Sequence, residues 1–465
     1  MTTITKSVTE KPAAEIPRNW YNINPDLPKP LPPILDPKTR ERADLAHLTR
    51  IYLTAALNAE TSQERWVEIP EEVRSFYSLW RPTPLVRARY LEEFLDTPAR
   101  IYYKNESVSP SGSHKANTAA AQSYWGLKQG VNRLVTNTTA GQWGSALAFA
   151  CKHFGLKCGV YMARSNYEQK PYRGTLMRMW DAEVYPSPGR NTKAGRAILR
   201  KDPKSPGSIG IAKSEALEDT LTHDNTRHAV GSVMSYVLRH NTVIGQEAQQ
   251  QMGQLEEYPD LVVGCFGGGS SFAGLFWPYY YDKFVRKSSP KDVRFLAVES
   301  TASPRLTRGQ YRYDHSDPMR ISPLFKMYTL GHTFVPPPIH TGGLRVHGSA
   351  PTFSLLLREK LAEAVAYNQL EAYEAGLIFS QTEGIVPAPE AAHAIKAVID
   401  EAKRCKKTGE EKVILFNLCG HGYFDLYGYE EYISGRMTAS DAKESVMKKT
   451  LRQLDELYPW DKPEA

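Results

Sequence analysis

Pro110-Ser111-Gly112-Ser113-His114-Lys115-Ala116-Asn117 is the stretch from which the rest of this chain is read. Small, turn-forming residues lead into a lysine, and the alanine run Ala119-Ala120-Ala121 follows it. Ser113 reads as an N-cap, which puts Lys115 in the first turn of a helix. There the positive end of the helix dipole disfavours an ammonium and leaves an amine readier to attack an aldehyde. A lone lysine near a helix start is common, so the chain around it has to carry the argument.

Working outward, the pattern is strand, turn, helix, repeated. Strands are expected at 100–104, 134–137, 158–163, 182–185, 260–266, 294–298 and 413–418. Helices are expected at 45–58, 90–94, 146–154, 167–180 and 272–284, where apolar residues recur at helical spacing. Strands alternating with helices imply an α/β fold with mostly parallel sheets and helices on both faces. Residues 1–44 are proline-rich and read as an arm, and 81–85 as a rigid connector. Two three-layer α/β domains are expected, one from 45–80 with 114–241, the other from 81–113 with 242–436. A helical tail, 437–465, would turn Leu451, Leu454 and Leu457 inward. Residues 332–352 break the rhythm, and a long irregular loop inside a compact unit tends to be functional.

With 465 residues, 41% hydrophobic and 23% charged, the chain has material for an ample core. The 58 basic against 51 acidic residues give +7 without long blocks, so no nucleic-acid footprint is read. Cys151, Cys158, Cys265, Cys405 and Cys419 form no CxxC pair, and the histidines no HExxH, so no catalytic metal is expected. The odd, scattered cysteines suit a reducing compartment, and there is no membrane span or signal core. The expectation is a cytoplasmic protein.

Three further loops lie just past strand ends, where α/β sheets place their ligands. Gly267-Gly268-Gly269-Ser270-Ser271 exposes backbone N–H groups at a helix start and suits a phosphate. It lacks the GK[ST] of a P-loop and the GxGxxG of a dinucleotide site. Thr138-Thr139-Ala140-Gly141-Gln142 suits a carboxylate. Cys419-Gly420-His421-Gly422 can bring one polar atom to a cofactor edge.

Taken with RPTPL at 81–85, TAGQWG at 139–144, VIGQEA at 243–248, PPPIHTGGLRVHG at 336–348 and TEGIVPAPEAAHAI at 382–395, these loops resemble the tryptophan synthase β-chain family, most closely its longer, stand-alone class. The resemblance implies a pyridoxal-phosphate enzyme of fold type II, with a monovalent cation as a further cofactor. Lys115 would hold the aldehyde and move the α-proton. His114, Asn117 and residues Gly267, Gly268, Gly269, Ser270 and Ser271 would hold the cofactor, with Gln142, Glu383 and Cys419 around its ring. Thr138, Thr139, Ala140, Gly141 and Gln142 would bind the amino-acid carboxylate. The activity implied is β-replacement on serine or O-phosphoserine through an aminoacrylate, followed by attack of a nucleophile such as indole. A homodimer without an obligate α chain is expected.

The sequence departs from that family where the nucleophile sits. Asn137 stands where the family has a glutamate, so the charge that supports indole attack is missing. Thr139 replaces a glycine and would resist positive φ. Ser271 replaces an asparagine and Cys419 a serine, and 105–109 differs from the usual REDLN. Arg345 stands where the common β chains carry an aspartate, and a guanidinium suits a phosphate leaving group. A specialised nucleophile is therefore expected. The alternatives are a serine or threonine dehydratase and a non-catalytic, cofactor-binding paralogue.

Overall fold

The computed structural model describes residues 13–44 and 48–462. Its larger sheet has six strands in the order Glu363–Tyr367, Arg294–Ser300, Leu261–Cys265, Val413–Leu418, Arg100–Asn105 and Leu85–Arg87. All pairs are parallel except the last, where Leu85–Arg87 runs antiparallel at the edge. The smaller sheet is wholly parallel: Glu183–Ser187, Lys157–Ala163, Arg133–Thr138, Thr226–His228.

Both sheets are covered on both faces, and the strands show it by alternation. Val262 and Leu415 enter one core with Phe272 and Phe276, whereas Leu261, Val263, Ile414 and Phe416 enter another with Ala391, Ile395 and Val398. In the smaller sheet Leu134 and Val160 face one way, and Val135 and Tyr161 face Ala212 and Ala216 on the other. This is the three-layer α/β architecture expected.

Several local expectations shift. Ser113 does not cap the lysine helix: its Oγ is buried with no partner, and the helix runs Ala116–Lys128 with Lys115 at the capping position. Within the expected helix 45–58, of which 45–47 lie outside the described residues, Thr54–Thr61 is helical and 49–53 are not. The expected helix 167–180 is two, Arg164–Gln169 and Pro171–Met179, because Pro171 has no N–H to continue the first. Residues 13–44 are more than an arm: Asn19–Tyr21 pairs with Trp66–Glu68 and buries Trp20 and Tyr21. In the tail helix Glu444–Leu457, Leu454 is buried against Tyr313, but Leu457 is exposed.

Candidate active site

The carboxyl ends of three strands open onto one cleft, and a fourth ends beside it. Arg100–Asn105 leads to the lysine loop, Leu261–Cys265 to the glycine loop, Val413–Leu418 to Cys419, and Arg133–Thr138 to the turn at 138–142. Lys115, Asn137, Thr138, Thr139, Ala140, Gln142, Gly231, Ser232, Gly268 and Gly343 all line it.

Lys115 Nζ donates to Gly231 O at 2.6 Å and to Ser270 Oγ at 3.0 Å. Burial lowers its pKa to about 8, so a useful share of the amine is neutral near pH 7. His114 completes a relay. Its Nδ1 contacts Cys419 O at 3.2 Å, and a carbonyl only accepts, so Nδ1 carries the hydrogen. Burial, then the Lys115 charge, holds the ring neutral, so Nε2 accepts from Ser270 Oγ at 3.1 Å. Ser270 is thus the hub between His114 and Lys115.

The glycine loop has to be bare. A Cβ at Gly267 would stand 2.3 Å from Gly343 O, and one at Gly268 2.3 Å from Ser232 Oγ. Ser270 then opens the helix Ser270–Tyr280, whose first N–H groups have no partner within the helix and suit an anion. Cys419 Sγ accepts from Cys265 Sγ at 3.6 Å; that bond, then burial, pushes the Cys419 thiol well up, so it stays protonated. In the carboxylate turn only Gly141 has positive φ, at 89°. The expected conflict at Thr139 does not arise, because Thr139 is not among the residues with positive φ.

Of the expected site residues, His114, Gly141, Gly267, Gly269, Ser270 and Cys419 do not themselves line the cleft, and Glu383, Asn117 and Ser271 are held by other partners. Glu383 ends the helix Gln369–Glu383, where its carboxylate accepts from Leu91 N at 2.9 Å, and it does not line the cleft. The acid that does meet the site is Glu390, seven residues on: Oε1 accepts from Gly343 N at 2.8 Å and Oε2 from Gln142 Nε2 at 3.1 Å. Burial raises its pKa, and its charge acts on Lys115. The signal was legible: Pro389-Glu390 is a proline and an acid in the first turn of a helix, just past a loop. Asn117 is fully buried in an ion network, with Oδ1 accepting from Arg81 Nη1 at 2.9 Å. Ser271 Oγ accepts from Asn417 Nδ2 at 3.0 Å and stays out of the cleft lining.

Arg345 lines an adjoining cavity with Pro336 and Ser208; Ile209 and His347 line both spaces. Its Nη2 donates to Pro336 O at 2.8 Å and Nη1 to Ser165 Oγ at 3.4 Å, while Nε has no partner. No carboxylate lies within ion-pairing distance of it among the described residues. Burial lowers its pKa only to about 10, so it remains a cation.

A buried primary amine, a bare loop at a helix start, a turn of N–H groups and a protonated thiol fit pyridoxal phosphate. Residues 77–420 match the family model for pyridoxal-phosphate-dependent enzymes. The chain is 56% identical over 424 residues to the tryptophan synthase beta chain 2 of Aquifex aeolicus, covering 91% of this chain and 98% of that one. It is 54% identical to the tryptophan synthase beta chain 2 of Pyrococcus abyssi, covering 92% and 96%. The chain belongs to the tryptophan synthase β-chain family. It is a pyridoxal-phosphate-dependent lyase of fold type II. A solved L-serine ammonia-lyase from Rhizomucor miehei has the same fold, at TM-score 0.54 and 16% identity, covering 76% of this chain and 98% of that one. In this tryptophan synthase β-like chain no helix among the described residues is long and apolar enough to cross a membrane.

Proposed function

We propose that this tryptophan synthase β-like enzyme performs β-replacement on serine or O-phosphoserine with a nucleophile other than plain indole. Bound at Lys115, pyridoxal phosphate supplies the electron sink that acidifies the α-carbon of the amino acid. Lys115 holds the cofactor and then, as a free amine of lowered pKa, takes and returns the α-proton. The 138–142 turn would hold the substrate carboxylate, the loop at 267–270 would hold the phosphate with His114 positioning Ser270 behind it, and Cys419 would face the ring nitrogen. A protonated thiol is a weak hydrogen-bond partner, so that nitrogen gains no charge from it. Glu390 fixes Gln142 and Gly343 from behind. A homodimer without an α chain, in the cytoplasm, is the assembly proposed.

One observation carries the altered nucleophile: Asn137, which lines the cleft with Lys115, is uncharged and cannot support the positive charge that grows on indole during attack. O-phosphoserine is favoured because Arg345 is a buried cation with no counter-charge in the adjoining cavity. Mass spectrometry of products from serine and O-phosphoserine, each with a panel of carbon, nitrogen and sulfur nucleophiles, tests this. The expected result is a β-substituted alanine other than tryptophan as the main product. Pyruvate alone would overturn the reading in favour of a dehydratase, and tryptophan as the best product would remove the specialised nucleophile.

A further inference from the structure

The cleft holds polar side chains that the reading above leaves without a task. Lys213 and His228 line it beside Asn137 and Ser316. One helix explains the grouping. Asn137 Nδ2 donates to the carbonyl of Ile209, first residue of Ile209–Thr222, at 3.4 Å. Lys213 stands four residues on, so it leaves the same face of that helix.

The charges around Lys213 do not balance. Its Nζ donates to Ser316 Oγ at 2.6 Å, and no carboxylate lies within ion-pairing distance among the described residues. Asp317 acts on it only across space, since its own oxygens accept from Ile321 N at 3.0 Å and Ser322 N at 2.8 Å. Asn137 is neutral. His347 is lowered mainly by burial, and His228 falls to about 3 through burial and then the Lys213 charge. Burial lowers Lys213 itself to about 8, which leaves it mostly cationic at pH 7.

His228 adds a second, independent sign. It is 2% exposed, and neither ring nitrogen has a hydrogen-bond partner. A neutral imidazole keeps one N–H to donate. Around these donors the lining is apolar: Ile209, Val230, Phe325 and Met327.

We propose that Lys213, with His228, forms an anion-binding end of the cleft, and that the nucleophile is an apolar-bodied molecule carrying a carboxylate. The inference rests on the β-replacement reading for what that molecule does, and on the cleft alone for where it binds. A carboxylate would supply the missing counter-charge to Lys213 and an acceptor for the His228 N–H. Desolvated charge-assisted bonds of this kind discriminate strongly against a neutral isostere.

Calorimetric titration of the cofactor-loaded protein with indole and with the indole-4-, 5-, 6- and 7-carboxylates tests the binding directly. At least one carboxylate should bind tighter than indole by about 10-fold to 100-fold, the range of one hydrogen bond to a charged group. Lys213→Gln, which keeps a donor for Ser316 but no charge, should erase that preference, and Lys213→Arg should retain most of it. Indole bound as tightly as every carboxylate would overturn the proposal, as would a preference that survives in Lys213→Gln. Products made from serine or O-phosphoserine with the same ligands separate the two readings. Lys213-dependent binding without any β-substituted product would sink the β-replacement reading and leave the anion site standing.

Discussion

Glu390 Oε2 accepts a hydrogen bond from Gln142 Nε2 at 3.1 Å, tying the start of one helix to the start of another across the cleft. Its other oxygen holds Gly343 N, so one buried carboxylate fixes both the turn at 138–142 and the irregular loop. Glu390→Ala leaves one buried donor, Gln142 Nε2, and one part-buried donor, Gly343 N, unpaired, the buried one costing about 1–3 kcal/mol. Turnover should fall steeply, because the turn at 138–142 loses its support. Glu383→Ala removes a bond to the backbone of Leu91 and should leave turnover unchanged, at a cost of about 1 kcal/mol in stability. Steady-state rates and urea melts of both variants decide between the two acids.

The amine at Lys115 should show its lowered pKa in the rate at which cofactor-free protein takes up pyridoxal phosphate. Only the neutral amine attacks the aldehyde, so the rate rises with pH until the lysine is deprotonated. That rise should level near pH 8, where a free lysine side chain continues upward to about 10.4. N-acetyl-lysine measured alongside removes the cofactor's own titrations. Growth of visible absorbance is the readout, and Lys115→Ala should show none. Undiminished turnover in that variant would overturn the placing of the cofactor.

How much of this could be read from the chain depends on distance along it. Strand 413–418 was legible to the residue, since its run of apolar residues is buried on both faces. The bare glycines at 267–269 mark the start of the helix Ser270–Tyr280 as expected, because a glycine turn into a helix is a local signal. Glu383 and Glu390 lie in one short segment, and what separates them is local: Glu383 ends one helix, whereas Glu390 follows a proline in the first turn of the next. The place of Asn117 is not legible locally. It looks like part of the lysine loop, but of its partners only Glu106 is nearby in sequence; Arg81 and Asn241 are distant. Lys213 gave no signal at all, since nothing in a helix interior says that one face looks into a cleft.

The network that claims Asn117 makes a stability prediction. The Arg81 side chain is fully buried and pairs with Glu106 at 3.0 Å and Glu247 at 2.8 Å, and Lys104 reaches Glu247 at 2.8 Å. Arg81→Met leaves two buried carboxylates facing one lysine, a loss on the order of 3–5 kcal/mol. Protein carrying Arg81→Met should melt well below wild type. An unchanged melting temperature would mean that water or rearrangement satisfies those carboxylates.

Restoring a carboxylate at 137 tests the nucleophile site from the other side. Asn137→Glu should raise tryptophan formation from serine and indole, bounded by what one well-placed charge gives, about 10²-fold to 10³-fold. Lys213 shares that wall of the cleft, so the new glutamate would partly pair with it. Asn137→Glu with Lys213→Met should therefore exceed the single variant. A double variant no better than the single one would place Lys213 out of reach of residue 137.

The proposed preference for a phosphate leaving group is tested at Arg345. This guanidinium is 1% exposed, its Nε is unpartnered, and its two bonds go to a backbone carbonyl and a serine hydroxyl rather than to an acid. A guanidinium donates and never accepts, so it does nothing for the hydroxyl of serine, whereas a phosphate suits it through parallel charge-assisted bonds. Phosphate is also the better leaving group and needs no proton from an acid. O-phosphoserine should therefore be consumed faster than serine. Arg345→Ala should lower kcat/KM for O-phosphoserine by about 10-fold to 100-fold, the value of a hydrogen bond to a charged group, while serine changes little. Arg345→Lys keeps the charge without the fork and should fall between. Measuring phosphate release and serine consumption in the three proteins checks it. A variant that loses both substrates equally would reduce Arg345 to a support for Pro336 and Ser165.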